Sequence, residues 1–179
     1  MSAHASPAPA STQQAVQRID QALFDAVAAE ARQLPRLRRN HNLHQENDLV
    51  QRFLNVLQPG TYVRPHRHSR DRPGSGFECF VVLQGAIGLL LLDGHGAVTR
   101  LERLEAAGPV RGIQLAEDQY HTLVALTPDT VMFELKQGPY EPTADKDFLG
   151  GFPLEGTAEA GVQELAWRHL FDSAAANGS

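Results

Sequence analysis

His66 and His68 stand two residues apart, and both are metal-ligand types. They follow a Pro-Gly turn in the stretch GTYVRPHRHSRDRPGSGFECFVVLQG, residues 60–85. An extended chain turns residues i and i+2 to one face, so the two imidazoles point the same way. Glu78 opens the next apolar run, and alternation sets it on one face with Phe80 and Val82. A carboxylate on an inward face is costly unless it is paired or metal-bound. His121, in QLAEDQYHTLVAL, again begins an apolar run after a turn. Three imidazoles and one carboxylate suit Zn, Fe(II), Mn(II), Ni(II) or Co(II). Cys79 is the single cysteine, so neither a cysteine-rich zinc site nor an internal disulfide can form. Ligands on separate strands leave coordination positions open toward a cavity, as catalysis or ligand binding requires.

Other polar residues lie near this set. Arg64, two before His66, shares the ligand face and is an anion-clamp candidate; its alternative is a salt bridge to a structural carboxylate. Glu134 and Lys136 share a face, either as an ion pair or lining the cavity. Tyr62 opens the extended run leading to the histidines and joins Arg64, Glu134 and Lys136 as a candidate for substrate contact. His95 falls on a hairpin tip, and His4 and His169 lie in terminal segments.

These side chains need strands to hold them. Runs at 50–57, 62–68, 77–83, 87–92, 97–104, 110–115, 122–126 and 130–135 are separated by Gly, Pro and Asp turns, with a hairpin signal at Asp93-Gly94-His95-Gly96. Short strands at this spacing with no helix between them predict an all-β sandwich or closed barrel. Before them, Ile19, Leu23, Phe24, Val27 and Ala31 fall at helical spacing, and Pro35 stops the helix. Residues 35–48, PRLRRNHNLHQEND, read as a polar, irregular arm. A last helix over 162–171 carries Trp167 and is expected to pack outside the barrel.

The 179 residues therefore divide into a disordered tail (1–16), a helix with a basic arm (17–49), a β-barrel (50–155) and a C-terminal helix with its tail (156–179). The net charge is −5, yet nine arginines and three acids fall between Arg32 and Arg72. Such a basic stretch beside a metal attracts a small anionic molecule; the alternative is a solvated arm balanced by acids elsewhere. An acidic chain without a nucleic-acid motif is not expected to bind nucleic acid. No apolar run is long enough for a membrane-spanning helix. The first residues lack a basic start and an apolar core, so the expected compartment is the cytoplasm.

The pattern Gly60, five residues, His66-x-His68, then Glu78, six residues, Gly85 resembles the first cupin motif, with a longer gap between His68 and Glu78 than is usual. The second motif keeps His121 and loses its Pro and Gly. Asn40-x-Asn42-x-His44, Gln51-Arg52, PGTYVRPHRH, FVVLQG, YHTLVAL, FELKQGPY and Lys146-Asp147-Phe148 are similar to the WbuC-type cupin-fold metalloproteins over roughly residues 36–155. The resemblance implies a double-stranded β-helix (a cupin or jelly-roll barrel) that holds one divalent ion, Zn, Fe, Mn or Ni, through His66, His68, Glu78 and His121. It also implies a homodimer and adds Asn42 and His44 as candidates for contact with ligand or with the metal's ligands. The expected function is a metal-dependent enzyme on a small anionic substrate, within carbohydrate or surface-polysaccharide metabolism. The alternatives are an Fe(II) dioxygenase and a non-catalytic binding or sensing module.

Overall fold

A computed structural model describes residues 16–69, 76–139 and 146–176. The expectations for the N-terminal tail, for His4 and for most of the SRDRPGSG loop fall outside these residues.

Helix α1, Gln21–Gln33, starts where the Asp20 side chain accepts a hydrogen bond from the Leu23 amide at 3.1 Å. Phe24, Val27, Ala28 and Ala31 form its buried stripe. Ile19, expected in that stripe, precedes the helix and is exposed.

Among the described residues ten strands follow: β1 Arg38–Asn42, β2 Val50–Leu57, β3 His66–Arg67, β4 Glu78–Gln84, β5 Ala86–Leu92, β6 Val98–Glu105, β7 Gly112–Leu115, β8 Tyr120–Ala125, β9 Thr130–Gln137 and β10 Asp147–Phe148. They form two antiparallel five-stranded sheets, ordered β1-β2-β9-β4-β7 and β10-β3-β8-β5-β6. This is the double-stranded β-helix. Leu57, Phe80, Val82, Ile87, Leu89, Leu104 and Met132 fill the space between the sheets at one end, with neighbours from β7 and β8.

The barrel's outer faces carry the helices. α1 lies on Leu54, Val56 and Val131. Helix α2, Ala158–Ala176, covers Leu90, Leu92 and Val124 with Trp167 and Phe171. It is longer than the sequence suggests and packs outside the barrel as expected. Gly88, central in β5, makes room for it: a Cβ there would lie 2.3 Å from Phe171 Cε2.

Two segments depart from the sequence reading. Residues 38–42 of the supposed irregular arm form β1, paired with β2 from Arg38↔Leu57 to Asn42↔Phe53. Backbone pairing needs no apolar side chains, and charged residues belong on an edge strand. Conversely, only His66–Arg67 of the expected strand at 62–68 is in a ladder. Pro65 has no donor to offer, and the carbonyls before it bond side chains: Arg38 reaches Tyr62, and Thr122 reaches Val63.

Candidate metal centre

β3 and β8 pair at His66↔His121, which sets those imidazoles side by side, and His68 follows β3 on the same face. Glu78 begins β4 in the opposite sheet. The four side chains are buried, and one ligand atom from each lies within 4.8 Å of the others. Two ligands on opposite sides of a divalent ion, with bonds of about 2.1 Å, stand about 4.2 Å apart, so small side-chain adjustments would close the set.

The hydrogen bonds test whether a cation belongs there. His66 Nδ1 lies 2.9 Å from the Arg64 carbonyl, and His121 Nδ1 lies 3.0 Å from the Gln119 carbonyl. A carbonyl only accepts, so each Nδ1 donates and each neutral ring keeps a bare Nε2. His121 Nε2 faces Glu78 Oε2 at 2.9 Å, and His68 Nε2 faces Glu78 Oε1 at 3.0 Å. For His121 that sets two acceptors against each other, an arrangement that a bound cation or a proton on the ring relieves. Both nitrogens of His68 and Glu78 Oε2 are buried without a well-formed hydrogen bond. The donor set fits a divalent ion.

Electrostatics favour the ligating forms. Burial, reinforced by Lys146 and His121, pushes the His66 imidazole well below its ordinary value. Burial would raise the Glu78 carboxyl, but His121 and His68 outweigh it and hold it well below the usual carboxylate range. A neutral His66 and an ionised Glu78 are the forms that bind a metal.

The centre opens onto a cavity of about 1170 Å³. Arg64, Asn42, His44, Glu134 and Lys136 all line it. Tyr62 does not, which corrects its assignment to the substrate. Its ring stacks on Trp167, centroids 5.7 Å apart and 3° from parallel, and its hydroxyl donates to the Pro153 carbonyl at 3.0 Å. It anchors α2.

The basic stretch resolves mostly into ion pairs. Arg32 binds Asp129, Arg36 and Arg38 bind Glu155, Arg39 binds Glu30, Arg52 binds Asp48 and Arg67 binds Asp147. Arg64 differs. Its guanidinium lies 5.0 Å from the Phe148 ring centroid, and its hydrogen-bond partner is the Leu149 carbonyl at 3.4 Å. Its Nε is buried without a partner.

Glu134 is buried between two neighbours: Asn55 Nδ2 donates to its Oε2 at 2.5 Å, and Lys136 Nζ stands 4.0 Å from its Oε1. Burial, reinforced by the Glu78 charge, pushes its carboxyl up to about 8, against the pull of Lys136 and Lys146. It therefore holds a proton at neutral pH.

Gln51, Asn55, Lys146 and Phe148 also line the cavity; the sequence reading quotes Gln51, Lys146 and Phe148 only within the resemblance, not as site residues, and misses Asn55. In β2, Gln51, Phe53, Asn55 and Leu57 alternate inward, while Leu54 and Val56 face α1. With both faces buried, the strand lacks the polar-out pattern that would expose its inward amides.

A family model described as Domain of unknown function (DUF6016) matches residues 19–104, which include three of the four clustered residues but not His121. No curated protein matches the chain. Similar solved structures include KdgF from Halomonas sp., at 20% identity over 59% of this chain and 83% of that one, with a TM-score of 0.44. A cupin superfamily protein from Desulfitobacterium hafniense is 17% identical over 56% and 76%, with a TM-score of 0.43. A Lactobacillus farciminis oxalate decarboxylase in a formate complex is 15% identical over 63% and 31%, with a TM-score of 0.45.

Proposed function

We propose that this chain is a metal-dependent enzyme of the WbuC-type cupin group, acting on a small anionic substrate of carbohydrate metabolism. The observation that carries the reading is the meeting of four buried ligand atoms within 4.8 Å at one end of a large cavity. His66, His68, Glu78 and His121 would hold one divalent ion, which supplies Lewis-acid polarisation of a substrate oxygen. The chain's own groups do the rest. Arg64 holds the anionic part beside the centre, with the Phe148 ring against its guanidinium, and Glu134 and Lys136 line the cavity beyond it. An anion is favoured because Arg64 stands beside the centre without a carboxylate partner among the described residues.

Metal analysis of protein purified without chelators tests the centre. One divalent ion per chain is expected, with loss of that ion in His68→Ala. Metal-free wild-type protein that also fails to take up Zn, Fe, Mn or Ni would sink the reading. Native mass spectrometry of the same sample identifies any co-purifying anion.

A further inference from the structure

The register of the first sheet lays its inward side chains out in rows. Glu78 on β4 pairs with Lys136 on β9, and Lys136 pairs with Gln51 on β2. All three line the cavity. Adjacent strands lie about 4.8 Å apart, so Gln51 stands about 10 Å across the sheet from the carboxylate at the metal centre. Gln51 is only 1% exposed, yet its Nε2 has no hydrogen-bond partner. A buried amide donor left unsatisfied costs roughly 1–3 kcal/mol, and an apolar side chain of the same shape would avoid that cost. The neighbouring Lys136 adds a positive charge, 95% buried, whose Nζ also lies 5.6 Å from the Phe53 ring centroid.

We infer that Gln51 and Lys136 form a second ligand-binding subsite, which takes an oxyanion at the far end of the molecule whose near end reaches the metal centre. This deepens the proposed function and rests on it. Both groups are donors, so the subsite favours an acceptor, and the lysine favours a charged one. Carboxylate and phosphate share that chemistry. The spacing selects a two-headed ligand about as long as glutarate, rather than a single-headed acid.

The test uses the full chain, loaded with Zn and titrated by calorimetry with acetate, succinate, glutarate, adipate and 3-phosphonopropionate. Gln51→Met keeps the shape and removes the donor; Gln51→Leu is a second variant should the first fold poorly. Wild type is expected to bind glutarate or 3-phosphonopropionate at least tenfold tighter than acetate, and the tighter of the two identifies the oxyanion. Gln51→Met is expected to lose that tenfold while keeping its Zn and its acetate affinity. Its metal-free form is expected to melt no lower than wild type, whereas a purely structural glutamine would make it melt lower. A flat length series, or wild-type glutarate affinity in both variants, overturns the subsite with the metal centre intact. Failure of wild type to take up Zn is seen before any acid is added, and it overturns the underlying reading as well.

Discussion

At the scale of single residues, the four clustered side chains fit an added positive charge. His121 has spent its Nδ1 proton on the Gln119 carbonyl, so its Nε2 meets Glu78 Oε2 acceptor to acceptor. Glu78→Gln presents an amide donor to that nitrogen. The metal-free variant is therefore expected to melt at or above the wild-type temperature, while Zn affinity falls by about 100-fold or more, read by competition with a chromogenic chelator. A variant that is destabilised when metal-free and still binds Zn tightly would contradict this account. Glu134 gives a pH prediction of known sign. Its carboxyl is raised from an ordinary value near 4.5 to about 8 in the fold. The folded state therefore favours the proton, and the stability it contributes at low pH is lost as pH rises toward 8. Glu134→Gln fixes the neutral form and keeps an oxygen for Asn55. In chelator-treated protein, the fall in melting temperature between pH 5 and pH 9 is expected to shrink by a few degrees in this variant, as differential scanning calorimetry would show.

At the scale of elements, both sheets depend on helices laid over their outer faces, and β5 shows how closely. Gly88 lies under the Phe171 ring, so Gly88→Ala overpacks the contact at a cost of about 1–3 kcal/mol. Phe171→Leu alone opens a gap beneath α2. The two together are expected to cost less than their sum, because the smaller side chain admits the added methyl; denaturant midpoints of the four proteins would reveal simple additivity if the contact were loose. The same elements explain what could be read in advance. Strands bounded by Gly, Pro and Asp turns are legible because turn chemistry is local. His66 and His68 are legible because spacing of two survives in any extended chain. Strand β1 is not, since its inward Asn40 and Asn42 and outward Arg39 and His41 resemble a solvated arm until β2 pairs with them. Tyr62 is not legible, because its place in the extended run does not show that its ring stacks on Trp167 of α2.

At the scale of the molecule, the centre joins parts that the chain holds only indirectly. His66 and His121 belong to one sheet and Glu78 to the other, and they meet where the barrel opens onto the cavity. Phe80 from the barrel interior reaches this end, its ring centroid 6.0 Å from that of His121. An ion held by His66, His68, Glu78 and His121 would bridge both sheets, so metal binding and global stability would be linked. At free Zn 100-fold above its dissociation constant, linkage supplies about 2.7 kcal/mol, which for a chain of this size is a rise of about 5–11 °C in melting temperature. A chelator should reverse the rise, and His68→Ala should abolish it. Hydrogen exchange locates the effect: amides of β3, β4 and β8 should gain protection together, spanning both sheets, while the β5–β6 hairpin changes little. Protection confined to β3 and β8 would place the ion on one sheet alone and remove Glu78 from its ligands.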